Sequence, residues 1–292
     1  MNPSKAIGKL LGSRPRDSHK GDYGRVFILA GSRGMSGACV LTAQAALRSG
    51  AGLVTVGMPK SLTNSLARRF AEAMTKPLPE MKSGTLSKRA FPLIMKFLGT
   101  QDVLAIGPGL SQNRETQTLI RRIVLQATKP MVIDADGLNA LKGHADFLNK
   151  LKSAAILTPH PGEYGRLFGV RVPEGDRERR KQVLRTARRY GVIIALKGHH
   201  TVVASPQGKV YVNRTGNPGM ATGGSGDVLT GVIAALLAQK KINPFSAACI
   251  GVFIHGLAGD LVRKKKGEIS LIAGDLVEVL PQVFQKAVLK RS

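Results

Sequence analysis

Asn217–Thr230 reads NPGMATGGSGDVLT, with glycine at three of the four positions 223–226 (Gly223, Gly224 and Gly226) directly before an apolar run. Glycine lets the backbone turn its N–H groups inward, and the start of a helix adds partial positive charge. A loop of this kind can hold a transferring phosphoryl group, and Asp227 at the same helix start can accept a proton from an attacking hydroxyl. The plainer alternative is that Asp227 only caps the helix.

Three further segments bear on the choice. Thr158–Glu163 (TPHPGE) follows the apolar run Ala155–Leu157. Its prolines fix an extended turn, where His160 can hydrogen-bond a substrate and Glu163 can hold a metal-bound water; a capped helix start explains it equally. Met131–Asn139 (MVIDADGLN) sets Asp134 and Asp136 just past another apolar run. Either can bind Mg²⁺ or a hydroxyl, or Asp136–Gly137 is a simple turn. Lys197–Thr201 (KGHHT) follows Val192–Leu196 and offers a cation, a hydroxyl and free amides to a nucleotide, or is a plain loop between strands. Each segment sits at the carboxyl end of a predicted strand or at a helix start, where open α/β sheets bind ligands. Other phosphate motifs are missing. There is no GxxxxGK[ST], and Gly31, Gly34 and Gly37 form GxxGxxG rather than GxGxxG. GxSxG, HExxH and EF-hand patterns do not occur either.

The elements that must position these groups alternate along the chain. Strands are expected at Arg25–Ala30, Leu53–Gly57, Val103–Ile106, Met131–Ile133, Ala155–Leu157 and Val192–Leu196, with helices such as Ala38–Arg48 and Thr116–Leu125 between them. Near-continuous apolar strands separated by helices predict a parallel sheet covered on both faces. Thr201–Ala204 and Lys209–Asn213 predict an edge hairpin, and helices are expected over Asp227–Ala238, Pro244–Val262 and Gly274–Leu289. No linker or internal repeat divides the chain, so one domain over 1–292 is expected.

Composition narrows the function classes. Of 292 residues 43% are hydrophobic and 21% charged, which excludes a disordered chain. The 44 Lys+Arg against 18 Asp+Glu leave a net charge of +26. The densest basic cluster, Arg177 to Arg189, carries Val183, Leu184 and Ala187 at helical spacing and reads as an amphipathic helix with a solvated basic face. No zinc finger or RNP-like motif accompanies it, so specific nucleic-acid binding is not expected. Cys39 and Cys249 lie in apolar surroundings and read as buried thiols of a cytoplasmic protein. Val228–Ala238 and Ala247–Ala258 each fall short of the roughly 18 apolar residues of a membrane span, so none is expected. Met1–Lys20 does not read as a secretory signal.

Taken together the segments resemble the ribokinase-like superfamily, and more closely its ADP-dependent NAD(P)H-hydrate dehydratases. The matching stretches are Lys20–Ser32, Met35–Ala38 (MSGA), Ala45–Val56, Gly107–Leu110 (GPGL), Ile133–Asn139, Leu157–Glu163, Lys197–Thr201 and Asn217–Gly231, in order over roughly residues 20–260. His160 stands where the wider superfamily has the Asn of an Asn-x-x-Glu motif, as it does in the dehydratases. The resemblance implies a three-layer, ribokinase-like α/β fold with a mostly parallel sheet. It implies a lyase that repairs the S-epimer of hydrated NADH or NADPH, consuming ADP (or ATP) with Mg²⁺ and yielding AMP and phosphate. By the same resemblance Ala38, Gly109, His160 and Asp227 contact the hydrated dinucleotide. Lys197, Gly198, His199, His200, Thr201 and Gly226 contact the adenine nucleotide, and the amides of Gly224, Ser225 and Gly226 stabilise the moving phosphoryl group. Glu163 holds Mg²⁺ through water. A homotetramer is implied, and an epimerase on a separate chain, since the motifs start near residue 20. Two competing readings are a small-molecule kinase using the same loop, which would stop at a phosphoester, and a non-catalytic nucleotide- or nucleic-acid-binding protein.

Overall fold

A computed structural model, describing residues 3–12, 14–239 and 241–289, gathers the expected strands into one nine-stranded sheet. The order along the chain is α1 (Pro3–Leu10), β1 (Arg25–Leu29), α2 (Ser36–Arg48), β2 (Leu53–Pro59), α3 (Lys60–Leu66), β3 (Met74–Leu78), α4 (Phe91–Leu98) and β4 (Val103–Ile106). It continues with α5 (Arg114–Gln126), β5 (Met131–Ile133), α6 (Asp136–Asn139), β6 (Ala155–Leu157), α7 (Pro161–Phe168), α8 (Asp176–Tyr190) and β7 (Ile193–Leu196). The hairpin β8 (Val202–Ala204) and β9 (Val210–Val212) follows, then α9 (Ser225–Ala238), α10 (Pro244–Lys266) and α11 (Ala273–Leu289).

Across the sheet the order is β3-β2-β1-β4-β5-β6-β7-β8-β9. Every pair from β3 to β7 is parallel, and β8 and β9 add on antiparallel as the hairpin requires. Because successive side chains of a strand point to opposite faces, the apolar strands feed two cores. Val26, Ile28, Val54, Val56 and Ala195 pack under α2, α9, α10 and α11. Phe27, Leu29, Leu104, Ile106 and Leu196 pack under α4, α5, α7 and α8. The result is the three-layer α/β arrangement expected from the sequence.

Three expectations need correction. Strand β3 (MTKPL) was not anticipated: Lys76 and Pro77 break the apolar pattern, and both are tolerated because β3 lies at the sheet edge. Helix α10 runs four residues past its expected end and has a window of mean hydropathy 1.7, long and apolar enough to cross a membrane. It is instead a core helix, with 72% of that window buried between α9, α11 and the sheet. On α8 the basic face is not wholly solvated, since Arg179 is only 9% exposed. Cys39 and Cys249 are buried free thiols, as expected.

Helix α9, which carries Asp227, packs tightly on α2 at Gly231. A Cβ added there would collide with the Thr42 carbonyl oxygen and stand 2.9 Å from Ala45 Cβ. Gly231→Ala should therefore force the two helices apart and lower stability by about 1–3 kcal/mol. Urea unfolding measures this, and an unchanged midpoint would show that α2 and α9 are not in fixed contact.

Candidate active site

Parallel strands deliver all their carboxyl ends to one edge of the sheet. The segments after β1, β4, β5, β6 and β7 therefore line up there, and the strand order reverses between β1 and β4, where such sheets open a crevice. Gly109 spans this crevice. A Cβ on it would lie 2.9 Å from Ala38 Cβ and 2.8 Å from the Met35 carbonyl, so only a glycine lets the loop rest on the start of α2. Ser32 Oγ donates to the Gly109 carbonyl at 2.8 Å. Ala38 and Gly109 thus form one wall.

Facing that wall is the N-terminus of α9. Its cap is Gly224, at φ 86° in the left-handed region, and a side chain there would strike Leu41 and Ala273. The amides of Gly226 and Asp227 meet no acceptor among the described residues, as expected in the first turn of a helix. The Ser225 carbonyl accepts from His255 Nε2 at 2.9 Å. Burial pushes His255 down to about 4, so this imidazole is neutral and anchors the turn by its N–H alone.

Beneath the turn lies a network of charge. Lys197 Nζ donates to Asp134 Oδ1 at 2.7 Å and stands 3.7 Å from Glu163 Oε2. Asp134, 1% exposed, takes a second bond on Oδ2 from Thr230 Oγ1 of α9 at 2.8 Å. A Cβ on Gly226 would be 3.2 Å from Lys197 Nζ and 3.5 Å from Asp134 Oδ2, which places the ion pair directly under the glycine loop. Burial alone would lower the Lys197 amine, but the carboxylates of Asp134 and Glu163 outweigh it and hold the amine above its usual value. Asp227 goes the other way. Burial, then the charge of Asp134, raises it to about 7, with Asp136 and Glu163 adding to the rise and Lys197 opposing it. A carboxyl group poised near neutrality beside free amides can take a proton from a hydroxyl while the amides face the charge that develops.

His160 and Glu163 serve structure and site together. His160 Nδ1 accepts from the amides of Gly162 (3.0 Å) and Glu163 (3.4 Å), and Glu163 Oε2 accepts from the His160 amide at 2.9 Å, a capping box for α7. With Nδ1 an acceptor, Nε2 carries the proton on the half-exposed side of the ring, 3.6 Å from Glu163 Oε1. Asp136 accepts from the Ser111 amide (2.8 Å) and Asn139 Nδ2 (3.1 Å), so it shapes the turn after β5. Among the described residues no three His, Cys, Asp or Glu side chains group to hold a metal ion.

Lys197 thus joins Asp134, Glu163, His160, Gly226 and Asp227 in one cluster. The rest of its segment faces elsewhere. Thr201 Oγ1 donates to the Gly198 carbonyl (3.1 Å), and His199 and His200 reach α8. No side-chain hydrogen bond joins His199, His200 or Thr201 to Gly224–Gly226 among the described residues. Sequence reasoning missed Thr230 and His255, which reach the site across 96 and 30 residues of chain. It also missed Asp260 of α10, which accepts from the Gly216 amide (3.0 Å) and Asn217 Nδ2 (3.2 Å) to brace the loop leading into Gly223.

The NAD(P)H-hydrate dehydratase family model matches residues 26–282. The ADP-dependent (S)-NAD(P)H-hydrate dehydratase of Neisseria meningitidis is 39% identical over 90% of this chain and 86% of its own length. The bifunctional NAD(P)H-hydrate repair enzyme of Moorella thermoacetica is 44% identical over 94% of this chain, which spans only 52% of that longer protein. A crystal structure of the ADP/ATP-dependent NAD(P)H-hydrate dehydratase of Bacillus subtilis, co-crystallized with ATP/Mg²⁺, superposes with a TM-score of 0.82 at 33% identity over 97% of both chains. Hydroxyethylthiazole kinase of Pyrococcus horikoshii, 16% identical with a TM-score of 0.63, shares the fold.

The state of Asp227 has a cost that can be measured. With its folded value raised from about 4 to about 7, the native state keeps a proton that the unfolded chain releases. The resulting loss of stability is absent below about pH 4, grows between about pH 4 and 7, and is complete above 7. Asp227→Asn should match the wild type near pH 4 and exceed it by on the order of 4 kcal/mol at pH 8. Urea midpoints at the two pH values decide it; equal midpoints at pH 8 would mean that the carboxylate is not held against its neighbours.

Proposed function

This chain belongs to the NAD(P)H-hydrate dehydratase family, and from that premise we propose that it restores NADH or NADPH from the S-epimer of the hydrated cofactor while converting ADP to AMP and phosphate. The observation that carries the proposal is Asp227, a carboxyl group raised to about 7 at the start of α9 beside unpaired amides.

Hydroxide is a poor leaving group and a phosphate ester a good one. Asp227 takes the proton from the ring hydroxyl as its oxygen attacks the terminal phosphorus of ADP, and the bond to the AMP oxygen breaks. The amides of Gly224 and Gly226, with that of Ser225, which meets the Thr222 carbonyl only at 3.4 Å, face the charge spread over the phosphoryl oxygens. The ring nitrogen's lone pair then expels phosphate, and loss of a proton from the neighbouring carbon restores the dihydropyridine. Ala38 and Gly109 wall the dinucleotide, His160 donates to it from Nε2, and Lys197, Gly198, His199, His200 and Thr201 take the adenine nucleotide.

The donor set suits Mg²⁺ only as an ion carried by the nucleotide. The oxygens of Asp134 are occupied by Lys197 and Thr230, and those of Asp136 by Ser111 and Asn139. Glu163, whose Oε2 accepts from the His160 amide, has Oε1 left to hold it through water, where the ion would supply neutralisation of the diphosphate. The same proposal includes a homotetramer, a cytoplasmic setting and a functional link to an epimerase that interconverts the two hydrate forms.

Recovery of reduced-nicotinamide absorbance from hydrated NADH, with ADP, ATP or no nucleotide in Mg²⁺ buffer, tests the reading. Nucleotide-dependent recovery with equal phosphate release is expected, whereas a stable phosphoester would identify a kinase. Asp227→Asn should lower kcat by about 10²–10⁴-fold while leaving ligand binding intact. Near-wild-type turnover in that variant would remove Asp227 as the base. Since the base must be ionised, wild-type kcat/KM should climb as pH rises through about 7 and level off above it.

A further inference from the structure

Loop 197–201 is held from outside the catalytic cluster by one turn of helix α8. Asp176 Oδ2 lies 2.9 Å from His200 Nδ1, and Arg179 NH1 donates to the His199 carbonyl at 2.9 Å. Residues three apart lie on one helix face, so a single turn reaches both histidines. Arg179 is 9% exposed, its Nε has no acceptor among the described residues, and its nearest carboxylate, Asp176, is 3.9 Å away. The His199 carbonyl is therefore the main anchor of a buried cation. His200 has φ 55°, in the left-handed region that non-glycine residues seldom occupy, and its ring lies 3.9 Å from that of His199. A backbone in such a conformation persists only where its surroundings over-determine it. Here the two ties from α8, one on a side chain and one on a carbonyl, do so.

We propose that Asp176 and Arg179 are positioning residues for the adenine nucleotide: acting through His200 and His199, they keep the 197–201 loop in its binding shape before the nucleotide arrives. This rests on the proposal that the loop takes the nucleotide. When the ties are cut, the loop spends only part of its time in the binding shape, and apparent affinity falls by that fraction. Lys197 is tied separately to Asp134, so loosening His199 and His200 leaves the Asp134, Lys197, Glu163 and Asp227 cluster in place and the chemical step untouched.

Asp176→Ala and Arg179→Ala should each raise KM for ADP by about tenfold, as for a loop competent one tenth of the time, with kcat and KM for the hydrated dinucleotide unchanged. Arg179→Lys should recover part of the loss, since an ammonium can still donate to the carbonyl. Asp176 is exposed, so its variant keeps the test open if Arg179→Ala does not fold. In parallel, diethylpyrocarbonate modification of wild-type His199 and His200 is followed by mass spectrometry with and without ADP. Protection by ADP with an unchanged KM for ADP in the variants would overturn the positioning role and leave the loop's role standing. Absence of protection would remove the loop from the nucleotide site and the positioning role with it. A rise in both KM values together with a fall in kcat would reveal a merely structural contact and likewise overturn it.

Discussion

The buried pair of Asp134 and Lys197 is the constraint on which the rest of the site depends. It joins three elements: Asp134 follows β5, Lys197 follows β7, and Thr230, which bonds the same carboxylate, comes from the second turn of α9. Taking two charges out of water is costly, and the pair is tolerable because its polar atoms are satisfied on both sides. The lysine spends its charge on Asp134 first and reaches Glu163 less closely. Asp227 receives only the remainder. That unequal sharing holds Asp227 up at about 7, so the carboxyl groups of one small site divide into those bound by their neighbours and one poised to exchange a proton.

How much of this can be read in the sequence depends on the range of the interaction. Each loop of the site announces itself locally: an apolar run ends and glycine, proline or a carboxylate follows, as in IDADGLN and LTPHPGE. Parallel strands bring those ends to one edge, so reading the strands correctly also gathers the loops that follow them. The partners that tune the site carry no such signal. Thr230 looks like any residue of an apolar helix, and it matters because α9 crosses the sheet over β4 and β5. His255 is one polar residue in an apolar stretch, a pattern that more often marks a satisfied core histidine, and it is satisfied, by the carbonyl of Ser225. Arg179 is hidden among arginines that the periodicity assigns to solvent.

Composition misleads in a related way. The hydropathy of α10 suits a membrane as well as a protein core, and only the packing of α9, α11 and the sheet around it separates the two. Likewise a net charge of +26 describes the surface, while the candidate site is locally acidic, with Asp134, Asp136, Glu163 and Asp227 around a single lysine among the described residues. Global charge draws anions toward the molecule; it does not make the crevice itself receptive.

That local acidity bears on how an anionic nucleotide is accepted. Each negative group brought close to Asp227 raises it further and favours its protonated form, which has no use as a base. The amides at the start of α9 offset part of this, and Lys197 cannot offset more without releasing Asp134. On the proposed reading the missing positive charge enters with the nucleotide, as it does when a diphosphate carries a divalent cation. On that reading the site is a poor base toward a naked anion and a competent one toward a neutralised one, and the charge balance that raises Asp227 would also select the form of the phosphoryl donor.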